Sequence, residues 1–337
     1  MPHATAGLPG TGGVLRASDD DFAVDELPAY APSGSGSHVF ARVEKRGLTT
    51  PDAVRAIARA LGVAERDVGV AGMKDRHAVT RQWISLPSPV SPDQVLALEL
   101  PGIAVLEAQR HDHKLRTGHL RANRFRLVVR DARDAGAARA VLAELARAPG
   151  APNWYGEQRF GRDGDNAERG RALLAGGGRG GKLDRLLVSA LQSELFNAWL
   201  VARLADGLFR TAVAGDVLHK LPGGLFDCTE PAVDAARVAA GEIVPTGPMF
   251  GDAMRAPAAG SDAAVREDAI LAAAGLARDS FHAVRAIADG TRRDAAIAIA
   301  DAAVEPHGDD ALAVSFTLPS GAYATTVMRE IMKTAPA

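Results

Sequence analysis

Where the β character falls constrains this chain more than any other feature. Strand-like alternation dominates residues 1–150, an Ala-rich and largely helix-patterned stretch follows, and FTLPSGAYATTVMRE at 316–330 returns to β character near the end. A strand must pair its backbone N–H and C=O groups somewhere. If the last strand completes the sheet begun by residues 1–150, the helical middle is an insertion within one domain. Two domains also suit 337 residues, a length that can bury one generous core or two smaller ones.

The opening part alternates strands with helices. VLRASDDDFAVDE at 14–26 reads as strand, turn and strand, with Phe22 and Val24 alternating against Asp21 and Asp25. SGSGSH at 33–38 is a loop and HVFARVEK the next strand. TTPDAVRAIARALGV predicts a helix capped by Thr49 or Thr50, with Pro51 at its first position. Residues 104–131 read as two β segments joined by a basic connection, and DAGAARAVLAELARA as a second amphipathic helix. Beyond residue 150, LDRLLVSALQSELFNAWLVARLADG has a long helical pattern, and 229–309 reads as mostly Ala-rich helix.

The net charge of −2 conceals a division along the chain. Residues 1–40 carry one Arg against five Asp and Glu, whereas residues 41–130 carry sixteen Lys and Arg against nine. A localised basic segment suits a protein that grips a polyanion at a chosen place; a solvated Arg-rich surface would look the same by charge alone. The single cysteine, Cys228, excludes an intrachain disulfide and any CxxC metal spacing. MPHATAGLPGTGG has no basic segment followed by an apolar run, and no stretch of about 18 apolar residues occurs, so the expectation is a soluble cytoplasmic protein.

Three motifs suggest other chemistries and fit them poorly. GGGRGGK at 176–182 has the GxxxxGK of a phosphate loop, but Leu183 stands where Ser or Thr must coordinate magnesium, and ERGRALLA before it is a helix pattern. A basic helix-to-helix loop is the better reading. His111 and His113 share a strand face, with His119 nearby, yet metal binding needs a supported third ligand; solvated or phosphate-facing imidazoles beside Arg110, Lys114 and Arg116 fit better. Cys228 in LFDCTEP has no base at readable spacing.

The informative stretch is AGMKDRHAVTRQW, residues 71–83, where Lys74, Asp75, Arg76 and His77 lie between two short apolar segments. A tight turn explains them, and so does an aspartate held in a cationic setting for chemistry. ANRFRLVV puts Asn123, Phe125 and Leu127 on one strand face and Arg124 and Arg126 on the other. An aromatic plane beside an amide serves core and turn, and is also what a flipped nucleobase needs. NWYGEQRFGRDGDN interleaves Trp154, Tyr155 and Phe160 with Arg159 and Arg162, which suits loop RNA or a packed aromatic corner.

GMKDRHAVTRQW, ANRFRLVVR, APNWYGEQRFGRDG, SALQSELFN and LPSGAYATTVMRE stand in an order that resembles the TruD family of tRNA pseudouridine synthases. LRASDDDFAVDEL and GSGSHVFARVEKRGLTT resemble its N-terminal motifs, and the resemblance runs from Gly13 to Lys333, weakest across 205–310. DDDF at 19–22 departs from the usual Pro-Glu-Asp-Phe and keeps Asp21 and Phe22; Trp154 before Tyr155 keeps an aromatic pair.

The resemblance implies an α+β fold: a pseudouridine synthase catalytic domain with a mixed, mainly antiparallel sheet and flanking helices, interrupted by an α/β TRUD domain. It divides the chain into 1–152 with 304–337, and 153–303. It also implies isomerisation of a tRNA uridine, position 13 of the D-arm in bacterial members, to pseudouridine. That reaction moves the C1′ bond from N1 to C5 with no net redox change, so no cofactor, nucleotide or metal is expected. It requires an ionised carboxylate near C1′ and C6.

By the same resemblance Asp75 is that carboxylate, Arg16 its cationic partner where some members carry Lys, Phe125 the aromatic that stacks on the base, and Asn123 its polar neighbour. The matched motifs add Lys74, Arg76, Gln82, Arg124, Arg159 and Tyr323 as substrate-contacting candidates. The expected partner is tRNA, with no membrane, and the expected state a monomer. A noncatalytic tRNA-binding protein on the same scaffold is the competing reading.

Overall fold

A computed structural model of the chain describes residues 1–176 and 180–334. Strand β1, Val14–Leu15, turns at Asp19–Asp21 into β2, Phe22–Pro28, whose inward Phe22, Val24 and Glu26 alternate with outward Ala23 and Asp25. Strand β3, His38–Arg46, alternates in the same way and buries Val39, Ala41, Val43 and Lys45 on one face. Helix α1, Thr50–Leu61, is capped by the Thr49 hydroxyl, which accepts from Asp52 N at 3.2 Å, and stops at Gly62 in the left-handed region at φ 68°. Its apolar face, Ala53, Ile57 and Ala58, packs on Val39, Ala41, Val43 and Ile84.

Next come β4, Gly69–Val70, β5, Val79–Pro87, the short helix α2, Pro92–Leu96, β6, Ile103–His111, β7, Leu120–Arg130, and α3, Ala135–Ala146. Then follow β8, Ala151–Pro152, α4, Asn166–Gly176, α5, Lys182–Ala205, β9, Val217–Lys220, β10, Leu225–Asp227, α6, Pro231–Ala239, and β11, Ile243–Met249. The chain continues through α7, Asp262–Ala273, β12, Thr291–Asp294, β13, Ala296–Ile297, β14, Ala300–Pro306, β15, Ala311–Pro319, and α8, Ala324–Met332.

Two compact units result. One comprises Pro9–Leu142, Ile299–Gly321 and the segment from Ile331. It is built on a sheet of nine strands among the described residues, in the order β14-β15-β7-β2-β5-β3-β6, with β1 pairing β7 and β4 pairing β5. Every pairing is antiparallel except β2 with β5, as a mixed and mainly antiparallel sheet requires. The late strand β15 does complete the sheet of the opening part: it runs along β7 from Ala311 opposite Arg130 to Pro319 opposite Ala122.

The other unit comprises Met1–Leu8, Ala143–Ala298 and Ala322–Glu330. The long helix α5 buries Leu187, Leu191, Leu195, Phe196, Trp199 and Leu200. Beside it lies a four-stranded sheet, β10-β9-β11-β12, whose β11 and β12 fall within the 229–309 stretch that was expected to be mostly Ala-rich helix. Strand β11, IVPTGPM, is buried along its whole length, and its two prolines and Gly247 hide it from propensity. Gly247 is required there, because a Cβ would lie 2.5 Å from the Trp199 ring. A second correction concerns the end of the chain: the β-branched run after Tyr323 suggested strand, yet it forms α8.

Candidate active site

Register fixes which side chains share a face of the larger sheet. Lys45 stands opposite Thr80, Thr80 opposite Val24, Val24 opposite Phe125, and Phe125 opposite Phe316, making one row across five strands. One step along, Val43 faces Gln82 and Glu26 faces Asn123. Cross-strand partners point the same way, so buried polar groups and aromatics meet on one surface.

The loop between β4 and β5 carries Lys74, Asp75, Arg76 and His77 and is held from below at several points. Thr50, buried at the start of α1, accepts from Lys74 N at 2.9 Å and donates to Gln82 Oε1 at 2.9 Å. Lys74 Nζ forms an ion pair with Glu26, both side chains almost wholly buried, and Glu26 Oε1 also accepts from Trp83 N at 3.1 Å. Lys45 Nζ donates to Asp75 O at 2.7 Å and to Leu48 O at 2.6 Å. Burial pushes the Lys45 ammonium down to about 8, opposed by the charges of Asp75 and Asp19 and aided by that of Lys74.

So anchored, the loop turns the Asp75 carboxylate toward Arg16, whose Nη2 donates to Oδ2 at 2.6 Å; the carboxylate side chain keeps 40% of its surface open. Arg16 follows β1 in the left-handed region at φ 63°, a strained conformation for Arg. Its guanidinium carbon sits 3.9 Å from the centroid of Phe22, and Phe22 meets Phe125 edge-on at 6.4 Å. Phe125 also packs against Phe316 at 5.6 Å and keeps only 7% of its surface open. Three buried polar atoms here have no partner among the described residues: Arg16 Nε, Thr80 Oγ1 and Asn123 Oδ1. Such atoms cost roughly 1–3 kcal/mol each when nothing meets them.

Among the residues singled out in the sequence, Arg16, Lys74, Asp75, Gln82, Asn123 and Phe125 gather on this surface. Lys74 and Gln82 lie beneath the loop. Arg76 is exposed, its Nε donating to Gly47 O at 3.2 Å. Arg124 points to the opposite face of the sheet from Asn123 and Phe125 and is exposed there, as strand alternation demands. Arg159 and Tyr323 belong to the other unit. Arg159 bonds Ser189 and Ser193 on α5 and lies over Tyr155, whose ring is 6.2 Å from that of Tyr323. Lys45, Glu26, Thr50 and Thr80 were missed. Lys45 had a readable signal, a charge on the apolar side of an alternating strand.

The rejected chemistries have structural explanations. Ser33 N donates to His111 Nδ1 at 3.2 Å, so neutral His111 carries its proton on Nε2, which meets His113 Nε2 at 3.2 Å; His113 then presents its own proton to Lys114 O. These nitrogens are committed to one another, and among the described residues no His, Cys, Asp or Glu group is arranged to hold a metal. Residues 177–179 of GGGRGGK lie outside the described residues; the motif follows α4 instead of a strand, and Lys182 opens α5. Cys228 is buried, and burial together with Asp234 and Asp216 pushes its thiol up to about 12. Among the described residues no helix is long and apolar enough to cross a membrane.

The fold has a solved counterpart. The structure superposes with a TM-score of 0.81 on the crystal structure of a protein from Methanosarcina mazei described as a tRNA pseudouridine synthase D (TruD), at 22% identity, covering 100% of this chain and 97% of that one. Sequence then gives the family. The family model described as tRNA pseudouridine synthase D (TruD) matches residues 1–180 and 179–331, and the chain belongs to that family. It is 54% identical to the tRNA pseudouridine synthase D of Anaeromyxobacter dehalogenans strain 2CP-C, over 99% of this chain and 96% of that protein. With the enzyme of the same name from Thermus thermophilus it shares 43% identity, over 98% and 92%.

Proposed function

We propose that this protein isomerises uridine 13 in the D-arm of tRNA to pseudouridine, with Asp75 as the catalytic carboxylate. The observation that carries the reading is the Arg16–Asp75 pair: a partly open carboxylate bonded at 2.6 Å by a guanidinium that lies over Phe22, the edge-on neighbour of Phe125. Asp75 acts on the ribose or uracil carbon of a flipped-out nucleotide, as nucleophile or as base toward C2′. The Arg16 guanidinium fixes the direction of the carboxylate in a site that the base would close to water. Asn123 Oδ1, buried without a partner among the described residues, is an acceptor suited to the N3–H of uracil.

In this reading Phe125 stacks on the base, Lys74 and Gln82 hold the Asp75 loop, and Arg76 and Arg124 are exposed cations available to phosphates. Arg159 and Tyr323 contact other parts of the tRNA. The catalytic domain is discontinuous, 1–152 with 304–337, around an inserted TRUD domain at 153–303, and the enzyme works in the cytoplasm as a monomer without cofactor. Extruding the base costs a few kcal/mol, which phosphate contacts by the basic segment offset.

The test is pseudouridine mapping by carbodiimide labelling and primer extension on an unmodified transcript with uridine at position 13. Wild-type protein without added cofactor gives a stop at that uridine, and Asp75→Asn binds the transcript but gives none. Turnover by Asp75→Asn removes the carboxylate's role. Salt-sensitive binding with no stop for either protein favours a noncatalytic tRNA binder.

A further inference from the structure

Lys45 is the least explained charge in the catalytic unit. Its side chain rises from a strand face otherwise made of Val39, Ala41 and Val43, among Ala53, Ile57 and Ile84, and the residue is 1% exposed. Among the described residues no carboxylate oxygen comes within 4.0 Å of its Nζ. Its two hydrogen bonds go to main-chain carbonyls, one of them that of Asp75 itself. A buried ammonium without a counter-ion is costly. An apolar residue of similar length would fill the same space without that cost, so packing does not account for the amine.

The geometry points to Lys45 as a positioning residue: as an ammonium it holds the Asp75 main-chain carbonyl and thereby keeps the Asp75 carboxylate on Arg16. The inference rests on Asp75 being the catalytic carboxylate. A carbonyl held from one side and a carboxylate held from the other leave the residue between them little freedom, and catalytic geometry tolerates little; a displacement of about 1 Å can cost on the order of 100-fold in rate. The charged groups facing Nζ are Asp75 and Lys74 from the loop and Asp19 from the turn before β2, while Glu26 is occupied by Lys74. Burial outweighs the two aspartates, and the ammonium loses its proton near pH 8. Activity that needs the ammonium is present below that pH and falls as pH rises through it.

The experiment is single-turnover isomerisation of a uridine-13 transcript at saturating enzyme, from pH 6 to 9, with binding measured separately. Wild-type rates should fall above about pH 8. Lys45→Met should bind tRNA within about twofold of wild type, react roughly 10- to 100-fold more slowly at pH 7, and lose the descending limb. Lys45→Gln, which keeps one donor toward the carbonyl, should recover part of the rate with no limb. A Lys45→Met protein with the wild-type rate and limb overturns the proposal, as does a flat wild-type profile, which needs no variant to fold. Asp75→Asn is run alongside: if it turns over, the reading of Asp75 fails; if it is inactive while Lys45→Met behaves as wild type, only the role of Lys45 fails.

Discussion

Lys74 and Asp75 are neighbours in the chain, yet one buries its charge and the other keeps its own partly open. Lys74 pairs with Glu26 under the loop, while Asp75 is tethered by its main chain to Lys45 and by its carboxylate to Arg16. Lys74→Met would leave the Glu26 carboxylate buried and unpaired, and should cost about 3–5 kcal/mol, read as a lower urea midpoint at pH 7. Replacing Glu26 by Leu in the same chain should recover much of it, because two apolar groups need no partner; no recovery would mean the pair does more than neutralise itself. The sequence made Asp75, Arg16, Asn123 and Phe125 legible because motif order carried them. It left Thr80 unread because its meaning depends on strand register, which no local pattern states, whereas Lys45, a charge on the apolar side of an alternating strand, carried a local signal that was missed. Arg124 shows the converse: it sits next to Phe125 in sequence, and the period of two sends it to the other face.

The connection before β3 shows how elements are tied together. Gly36 lies against the end of β6, where a Cβ would come 2.5 Å from His111 O, and Gly34 N donates to Arg110 O at 3.0 Å. His111 completes this strap by accepting from Ser33 N. Burial, with His113 close by, holds the His111 imidazole below its ordinary value, and burial with His113 and Lys114 does the same for His38. The unfolded chain therefore takes up these protons first. Stability should be full above about pH 6.5 and decline as pH falls through that value and then through the folded-state values. Urea unfolding from pH 8 to 5 measures it, and His111→Gln should flatten the slope; an unchanged slope would locate the proton uptake elsewhere. At this scale the longer strands and the helices α1 and α3 of residues 1–150 were readable from alternation and helical spacing, whereas the short α2 was not. The strands β9 to β14 were not, since short segments rich in Pro, Gly and Ala carry little periodic signal.

For the molecule as a whole, the basic excess in residues 41–130 is what a polyanion would meet. If six or more phosphates are contacted, tRNA affinity should fall on the order of 1,000-fold between 50 and 200 mM salt, and titrations at several ionic strengths read the slope directly. A nearly flat slope would mean that the excess faces water only. The strand order has a consequence during synthesis. Strand β7, which carries Asn123 and Phe125, gains its outer neighbour only when β15 leaves the ribosome, about 180 residues after β7 itself. Until then one edge of β7 is unpaired and Phe125 lacks Phe316. A chain broken off early would contain Asp75, Arg16 and Phe125 and still present an unfinished sheet, inviting pairing with other copies and proteolysis. Assembly of the surface around Phe125 therefore waits until the last strand of its sheet has been synthesised.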